Sequence, residues 1–471
     1  MLNPVGKSLT DALRAGLPQA CFRQIEPRYL EEPRGRYQGV GGLLLAPATA
    51  QETSVIVRAC NAHMTGIVPY GGGTSLVGGQ VMPQGPAPVI LSLERMNRIF
   101  DVDAGDNVLI AGAGVVLADI QAAAQKADRL FPLSLASEGS CRIGGNLSTN
   151  AGGVGVLRYG NARDLCLGLE AVLPDGSIWN GLSRLRKDNT GYDLKNLLIG
   201  AEGTLGVITA ASLKLFARPD RHITAFLAIR DPDAALELLT RCRTAFGGMV
   251  SAFELIHRQG LEFLSEVLPQ VRQPLTDPPE WMVLLDLGVS GEQGVTVRLE
   301  TLLSDALAHD LVQDALIAQN EAQRHAFWAV RETIPEANRL VGAIYSHDIS
   351  VPVSRIPEFI QRAGLLVAGI TSARINCFGH VGDGNLHYNV YPPKGRTKQE
   401  FSAVTSQIKD AVYELVNSLG GSVSAEHGIG RLKIDDLKKF GDPAKLAAMR
   451  AIKQALDPNG IMNPGAVVVP A

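Results

Sequence analysis

Fifty of the 471 residues are glycine, and many of them fall between Gly71 and Gly206. Glycine is what a backbone needs where it turns left-handed or comes close to another group. Such a concentration points to backbone folded tightly around something, not to a flexible linker. Two stretches carry the signal. Pro69-Tyr70-Gly71-Gly72-Gly73-Thr74-Ser75-Leu76 closes the apolar run Gly66–Tyr70. Consecutive glycines let several backbone N–H groups converge on one anion, with the Thr74 and Ser75 hydroxyls as further donors. That suits a pyrophosphate; a turn that merely needs positive φ is the plainer alternative. Ser137–Gly153 is dense in small donors, with Ile143 and Leu147 its only large apolar side chains. It builds no core of its own, and its Gly-Gly pairs argue that it wraps a polar partner. A nucleotide-type cofactor held by both stretches is the economical reading. The GxGxxG pattern occurs nowhere, and Gly200, Gly203 and Gly206 have the wrong spacing, which disfavours a nicotinamide-binding Rossmann domain.

Composition narrows the class. A hydrophobic share of 46% and a charged share of 19% describe a soluble globular protein. A net charge of −3 with no run of Lys or Arg argues against a nucleic-acid partner. The six cysteines form no CxxC pair, and the first residues hold no continuous apolar core of a signal peptide. A bacterial-type, cytoplasmic chain with reduced thiols is expected. No apolar run is long enough to cross a membrane as a helix, and peripheral contact with a membrane stays open.

The length calls for two domains, and Ala217-Arg218-Pro219-Asp220 is the best boundary. Before it, strands are expected at Gly42–Ala46, Gly66–Tyr70, Pro88–Leu93, Asn107–Gly112 and Gly206–Phe216. Helices are expected at Thr49–Asn61 and Leu117–Lys126, and a hairpin at Ala171–Trp179. After the boundary, strands are read at Ile223–Ile229, Met249–Leu255, Trp281–Gly288, Val312–Ile317, His347–Val353 and Ala373–Phe378. Helices are read at Ala234–Thr244, Gly294–Leu307, Asn320–Arg331, Ile356–Val367 and Glu400–Asn417. The fold class is α+β, the second part being one open sheet with helices on one face.

Two histidines then stand on either side of a tight turn, in Phe378-Gly-His380-Val-Gly-Asp-Gly-Asn-Leu-His387-Tyr-Asn389. A hairpin through Val381–Gly384 brings His380 and His387 together, and period-two alternation puts His387 and Asn389 on one face with Tyr388 on the other. Glu426 and His427 follow in the Gly-flanked stretch Ser424–Gly430. Two His and one Glu make the ligand set of a catalytic zinc site, leaving His427 as a candidate general base. The plainer alternative is two satisfied strand histidines and an exposed loop Glu.

The ordered set of Pro69–Ser75, Ser137–Gly153, Lys187–Leu194, Gly200–Ile208, Gly379–Asn389 and Ala425–Gly430 resembles the FAD-linked oxidases of the vanillyl-alcohol oxidase type. Within them it resembles the branch acting on D-2-hydroxyacids: D-2-hydroxyglutarate, D-lactate and glycolate dehydrogenases. Matches run from about residue 40 to the C-terminus. The resemblance implies a PCMH-type FAD-binding domain over 1–218 (core about 38–218). It further implies an α+β cap domain over 219–422 with an open, largely antiparallel sheet, and a segment 423–471 returning to the FAD domain. FAD contacts would come from Pro69, Tyr70, Gly71, Gly72, Gly73, Thr74, Ser75 and Leu76 at the pyrophosphate. Ser137, Glu138, Gly139, Ser140, Ile143, Gly144, Asn146, Thr149, Asn150, Ala151 and Gly152 would lie along the ribityl chain and ring. Gly206, Val207 and Ile208 would lie on the adenine side, with Asn463 as a further contact. The first loop has no His, so the FAD is expected to be non-covalent.

By the same resemblance His380, His387 and Glu426 match metal ligands, for Zn²⁺ with Mn²⁺ or Co²⁺ as substitutes. Asn389 matches a substrate contact, His427 the catalytic base, and Arg331 the clamp for a substrate carboxylate; a solvated helix charge is the plainer reading of Arg331. The implied partners are a small D-2-hydroxyacid and an electron acceptor such as an electron-transfer flavoprotein or a quinone, with the chain a homodimer. D-2-hydroxyglutarate leads, and D-lactate, glycolate or a flavin oxidase using oxygen are the alternatives. The chain departs from its relatives at two points. His347 stands where a Lys would pair with a distal carboxylate, and Pro335 where a substrate-contacting Thr is expected. A shorter, partly charged His should hold that carboxylate less firmly.

Overall fold

A computed structural model describes residues 1–468. The chain forms two compact units. The first comprises Met1–Gly152, Gly160–Ala217 and the chain from Glu426 on; the second comprises Gly153–Tyr159 and Arg218–Ala425. Gly153–Tyr159, expected with the FAD domain by its place in the chain, thus groups with the second unit, and the returning segment starts at Glu426 instead of 423.

The first unit holds two principal sheets. One has the order Phe22–Arg23, Leu43–Leu45, Val89–Ser92, Ile67–Tyr70, and the last three run parallel. The helix Ala50–Ala62 lies in the crossover from Leu43–Leu45 to Ile67–Tyr70. Its first turn is capped at both ends of a short loop: Thr49 Oγ1 accepts from the Glu52 N–H (3.1 Å), and Glu52 Oε2 accepts from the Ala48 N–H (2.7 Å). The other sheet is antiparallel, ordered Ile99–Asp103, Val108–Gly112, Val207–Lys214, Cys166–Val172, Ile178–Gly181. The expected Ala171–Trp179 hairpin is its outer pair. The C-terminal segment docks through Lys453, whose buried Nζ donates to the Thr204 and Met462 carbonyls at 2.7 and 2.8 Å.

The second unit is built on a seven-stranded, wholly antiparallel sheet. Its order is Val312–Ile317, Arg221–Ile229, Trp281–Val289, Val250–His257, Arg374–His380, Asn385–Tyr391, Tyr345–Ser350. Helices cover both faces, which corrects the expectation of one. On one face Phe226, Ile256, Met282, Leu284, Phe378 and Tyr391 pack against the helices Arg258–Val267 and Glu321–Val341. On the other, Tyr388 meets Phe359 of the helix Ile356–Ile370, with ring centroids 5.4 Å apart. His347 there meets Tyr413 of the helix Thr405–Ser418, at 5.5 Å. The physical reason shows in Trp281–Val289, which is buried at every position, as a strand with one wet face would not be.

The helix Glu321–Val341 runs ten residues past the expected end at Arg331. Asn320 caps it, its Oδ1 accepting from the Gln323 N–H (3.0 Å), and it stops at Gly342 with φ +81°. Pro335 sits inside it and has no N–H to give the Arg331 carbonyl. Among the described residues, no helix is long and apolar enough to cross a membrane.

Candidate cofactor cradle and catalytic residues

In the first unit the two glycine-rich stretches pack against one another. A Cβ at Gly72 would lie 2.4 Å from the Ser140 carbonyl oxygen, and one at Gly71 would lie 3.4 Å from the Gly145 Cα. At Gly72 only bare backbone permits that approach. Between them opens a cavity of about 430 Å³, the size of a small-ligand site. Of the expected flavin contacts, Pro69, Gly71, Gly72, Gly73, Thr74, Ser75, Leu76, Ser137, Gly144, Asn146, Thr149, Ala151 and Gly152 line it. Glu426 and His427 line it as well.

The remaining expected contacts stand elsewhere. Tyr70 turns its hydroxyl to the Arg28 carbonyl (2.9 Å) and stacks on Tyr29; with Gly139 and Ser140 it lines a neighbouring cavity of about 510 Å³. Glu138 accepts from Gln121 Nε2 (3.2 Å), Ile143 is fully buried, and Asn150 Oδ1 accepts from the Arg163 N–H (3.0 Å). Val207 and Ile208 open the buried strand Val207–Lys214 with Gly206 just before it, and none of the three lines the cavity. Asn463 is a brace: its Nδ2 donates to the Gly79 and Glu202 carbonyls at 2.9 and 2.8 Å. Sequence reasoning missed Gln80, Arg142 and Glu202 in the lining.

The cavity fits a polar nucleotide cofactor on its own evidence. Gln80 Oε1 and Asn146 Oδ1 are buried there with no hydrogen-bond partner, and orphaned amide oxygens of this kind call for a ligand that brings donors. Glu202 serves differently. Its carboxylate accepts from the backbone N–H of Ile429 (2.7 Å) and of Gly430 (2.8 Å), just beyond His427. Burial drives its pKa up to about 7, against the pull of those N–H groups and of Arg431 and Lys433. Arg431 in turn donates to the Gly78 carbonyl (3.0 Å) and to Asn463 Oδ1 (2.9 Å), so the stretch after His427 is pinned from both sides.

In the second unit the histidine hairpin forms as expected. Arg374–His380 and Asn385–Tyr391 pair antiparallel around a 3₁₀ turn at Val381–Asp383, closed by Gly384 at φ +87°. A side chain at Gly384 would strike the Val351 carbonyl, 2.2 Å from the Cβ position. The His380 and His387 rings lie 5.9 Å apart. Tyr388 packs on the opposite face, as alternation requires.

Register brings a residue the sequence did not single out. Glu254 stands opposite His380 on the adjoining strand, and its Oε1 lies 2.6 Å from His380 Nδ1. Its other oxygen, Oε2, accepts from Arg331 Nε at 2.8 Å. Arg331 is thus not a solvated helix charge: it is 5% exposed, stacked over the Phe378 ring at 4.8 Å. Burial alone would raise the Glu254 pKa, but the pull of His380 and then of Arg331 overcomes it and holds the carboxyl at about 2.

His347 does not join this group. It pairs with Tyr388, its Nδ1 2.7 Å from the Tyr388 carbonyl, and packs among Tyr345, Tyr388 and Tyr413. The face shared with His387 and Asn389 instead carries Asp348, opposite His387, and Ser346, opposite Asn389. The reading of His347 as a substrate contact is therefore corrected: a strand cannot turn a residue to the face of its neighbours.

Comparison with known proteins decides the family. A profile described as "FAD linked oxidases, C-terminal domain" matches residues 218–467, and one described as "FAD binding domain" matches 42–181. The chain belongs to the FAD-linked oxidases. It is an FAD-dependent oxidoreductase. It is 39% identical to the mitochondrial D-2-hydroxyglutarate dehydrogenase of Danio rerio, over 91% of this chain and 78% of that one. It is 37% identical to the mitochondrial D-2-hydroxyglutarate dehydrogenase of Arabidopsis thaliana, over 91% and 75%. In fold it is similar to p-cresol methylhydroxylase, with a TM-score of 0.78 at 17% identity over 100% of this chain and 99% of that one. The α+β, PCMH-type architecture is thereby established.

Proposed function

We propose that this FAD-linked oxidase oxidises a D-2-hydroxyacid to the 2-oxoacid, D-2-hydroxyglutarate foremost. The observation that carries it is the buried Arg331, held through Nε by the same carboxylate that holds His380. Among the described residues the Arg331 Nη pair makes no hydrogen bond of its own, which suits a bidentate grip on a carboxylate. The relatives' named substrate supplies the rest.

A divalent metal, zinc first, fits the donor set: two imidazoles from one hairpin and a carboxylate, with room for an exchangeable position. We assign it to His380, His387 and Glu426. His380 Nδ1 faces a carboxylate and so carries its proton, which leaves Nε2 free of it. Glu426 follows Ala425, whose N–H donates to the Asp348 carbonyl at 3.3 Å. Bound FAD supplies the hydride acceptor, and bound metal makes the substrate hydroxyl acidic enough to lose its proton near neutral pH. The protein's own part is alignment and proton transfer. Arg331 fixes the carboxylate and so orients Cα. Asn389 hydrogen-bonds the bound acid. His427 takes the hydroxyl proton, a task suited to an imidazole.

D-lactate or another acid without a second carboxylate is the second reading. Ser346, a neutral hydroxyl, occupies the face on which His347 was expected to meet the distal carboxylate. The electron acceptor is proposed to be an electron-transfer flavoprotein or a quinone, the assembly a homodimer and the compartment the cytoplasm, consistent with six buried, unpaired cysteines. Anaerobic bleaching of the flavin by a panel of D-2-hydroxyacids tests the assignment. Bleaching by D-2-hydroxyglutarate at the highest kcat/KM is expected; no bleaching by any D-2-hydroxyacid refutes it. Peroxide formation in air would make oxygen the electron acceptor in place of a flavoprotein or quinone.

A further inference from the structure

We infer that Glu254 is a positioning residue that binds the metal centre and the carboxylate clamp into one unit. The inference rests on the metal reading above. Three observations carry it. Glu254 is 1% exposed, so its carboxylate is held by the protein alone. Each of its oxygens has a separate partner, Oε1 with His380 Nδ1 at 2.6 Å and Oε2 with Arg331 Nε at 2.8 Å. The partners come from two different elements, the strand Arg374–His380 and the helix Glu321–Val341, so neither strand register nor helix geometry alone fixes their separation.

The chemistry follows from the acceptor-only character of a carboxylate. Because Oε1 can only accept, His380 must carry its proton on Nδ1, and Nε2 is then the nitrogen offered to a metal. A hydrogen-bonded carboxylate also makes that imidazole a stronger ligand. Because Oε2 takes Nε of Arg331, the guanidinium plane is set while the Nη pair stays available. Glu254 itself would touch neither substrate nor metal. It sets the angle between the atom that makes the hydroxyl acidic and the group that grips the carboxylate, and reaction geometry tolerates little error there. Gln at this position has one acceptor in place of two, so it can serve His380 or Arg331 but not both.

The test uses full-length holoenzyme. Zinc affinity is measured for wild type, Glu254→Gln and His387→Gln by competition with a chromophoric chelator, with bound FAD quantified in each. Glu254→Gln is expected to lose about 10- to 100-fold in zinc affinity with FAD content unchanged, and its KM for the hydroxyacid should rise. Glu254→Asp, which keeps two acceptors on a shorter stem, should recover part of the zinc affinity. Wild-type zinc affinity and KM in Glu254→Gln, alongside loss of zinc in His387→Gln, would overturn this inference and leave the metal site standing. Unchanged zinc in His387→Gln would remove the metal reading, and this inference with it. Should the Glu254 variants not fold, nitrogen-15 histidine spectra of the zinc-loaded wild type decide, the His380 signals assigned by their loss in His380→Gln. Protonated Nδ1 on His380 supports the inference, and a bare Nδ1 overturns it.

Discussion

His347 and His387 project to opposite faces of the same antiparallel pair, because the register sets Tyr388 opposite His347 and Asp348 opposite His387. His347 therefore cannot tune discrimination between a dicarboxylate and a monocarboxylate by its charge. The ratio of kcat/KM for D-2-hydroxyglutarate to that for D-lactate should stay flat from about pH 5.5 to 8, in wild type and in His347→Asn alike. The substitution should instead cost about 1 kcal/mol of stability through the strained or lost bond to the Tyr388 carbonyl. A ratio that falls as pH rises through the usual histidine range, and only in wild type, would restore the role this register denies.

The contrast shows what was legible in the sequence. The hairpin of His380 and His387 could be read because turn chemistry and alternation are local. So could most strands of the second unit, whose β-branched and aromatic runs are bounded by breakers. Glu254 could not be found, since it lies 126 residues before His380 and only sheet order joins them. The face of His347 was knowable by alternation from Asp348, but it needed the pairing with Tyr388 to fix which face mattered. The helix runs past Arg331 because tertiary packing of Ile334, Ala337 and Asn338, which no local signal announces, carries it through Pro335. In the first unit the glycines marked the cradle, but not which neighbours, such as Glu202 and Gln80, face into it.

Gly72→Ala should weaken FAD binding without unfolding the chain. The added methyl meets the Ser140 carbonyl oxygen at 2.4 Å, and backbone on both sides must shift. Overpacking of this kind costs about 1–3 kcal/mol, so bound FAD should weaken by roughly 5- to 150-fold. Flavin-to-protein absorbance after gel filtration reports it. Acid precipitation of the wild type should leave all flavin in the supernatant; colour in the pellet would contradict non-covalent binding.

Glu202 should make the protein less stable as pH rises through the range from 4.5 to about 7. Its folded pKa, about 7, lies above the ordinary 4.5, so the folded chain holds the proton more tightly than the unfolded one. The stabilisation is full below 4.5 and lost progressively up to about 7, on the order of 3 kcal/mol in all. Glu202→Gln removes that slope, so its Tm should change less between pH 5 and 7.5 than the wild type's. Since one N–H of Ile429 or Gly430 then lacks its acceptor, the stretch after His427 loosens, and kcat should drop about tenfold. Equal Tm slopes in the two proteins would show that Glu202 does not titrate there.

Dialysis against a chelator should abolish turnover while leaving the flavin spectrum intact, with zinc restoring activity and manganese or cobalt restoring part of it. The separation is expected because the cavity is lined chiefly by the glycine-rich stretches, whereas two of the three assigned ligands, His380 and His387, come from the hairpin and only Glu426 also lines that cavity. Full activity in metal-free protein would end the metal assignment.

Arg331→Lys should be far from conservative. Lysine keeps the charge but cannot present a planar pair of donors while giving a third to Glu254. Two effects should separate in the kinetics. Loss of the bidentate grip raises KM for every D-2-hydroxyacid, and loss of orientation lowers kcat, together about 10²- to 10³-fold in kcat/KM. Because the grip falls on the carboxylate common to all these acids, the loss should be similar for D-2-hydroxyglutarate and D-lactate. A variant that loses activity only towards D-2-hydroxyglutarate would place Arg331 at the distal carboxylate instead. Zinc content should fall much less than in Glu254→Gln, since His380 keeps its carboxylate partner when Arg331 is shortened.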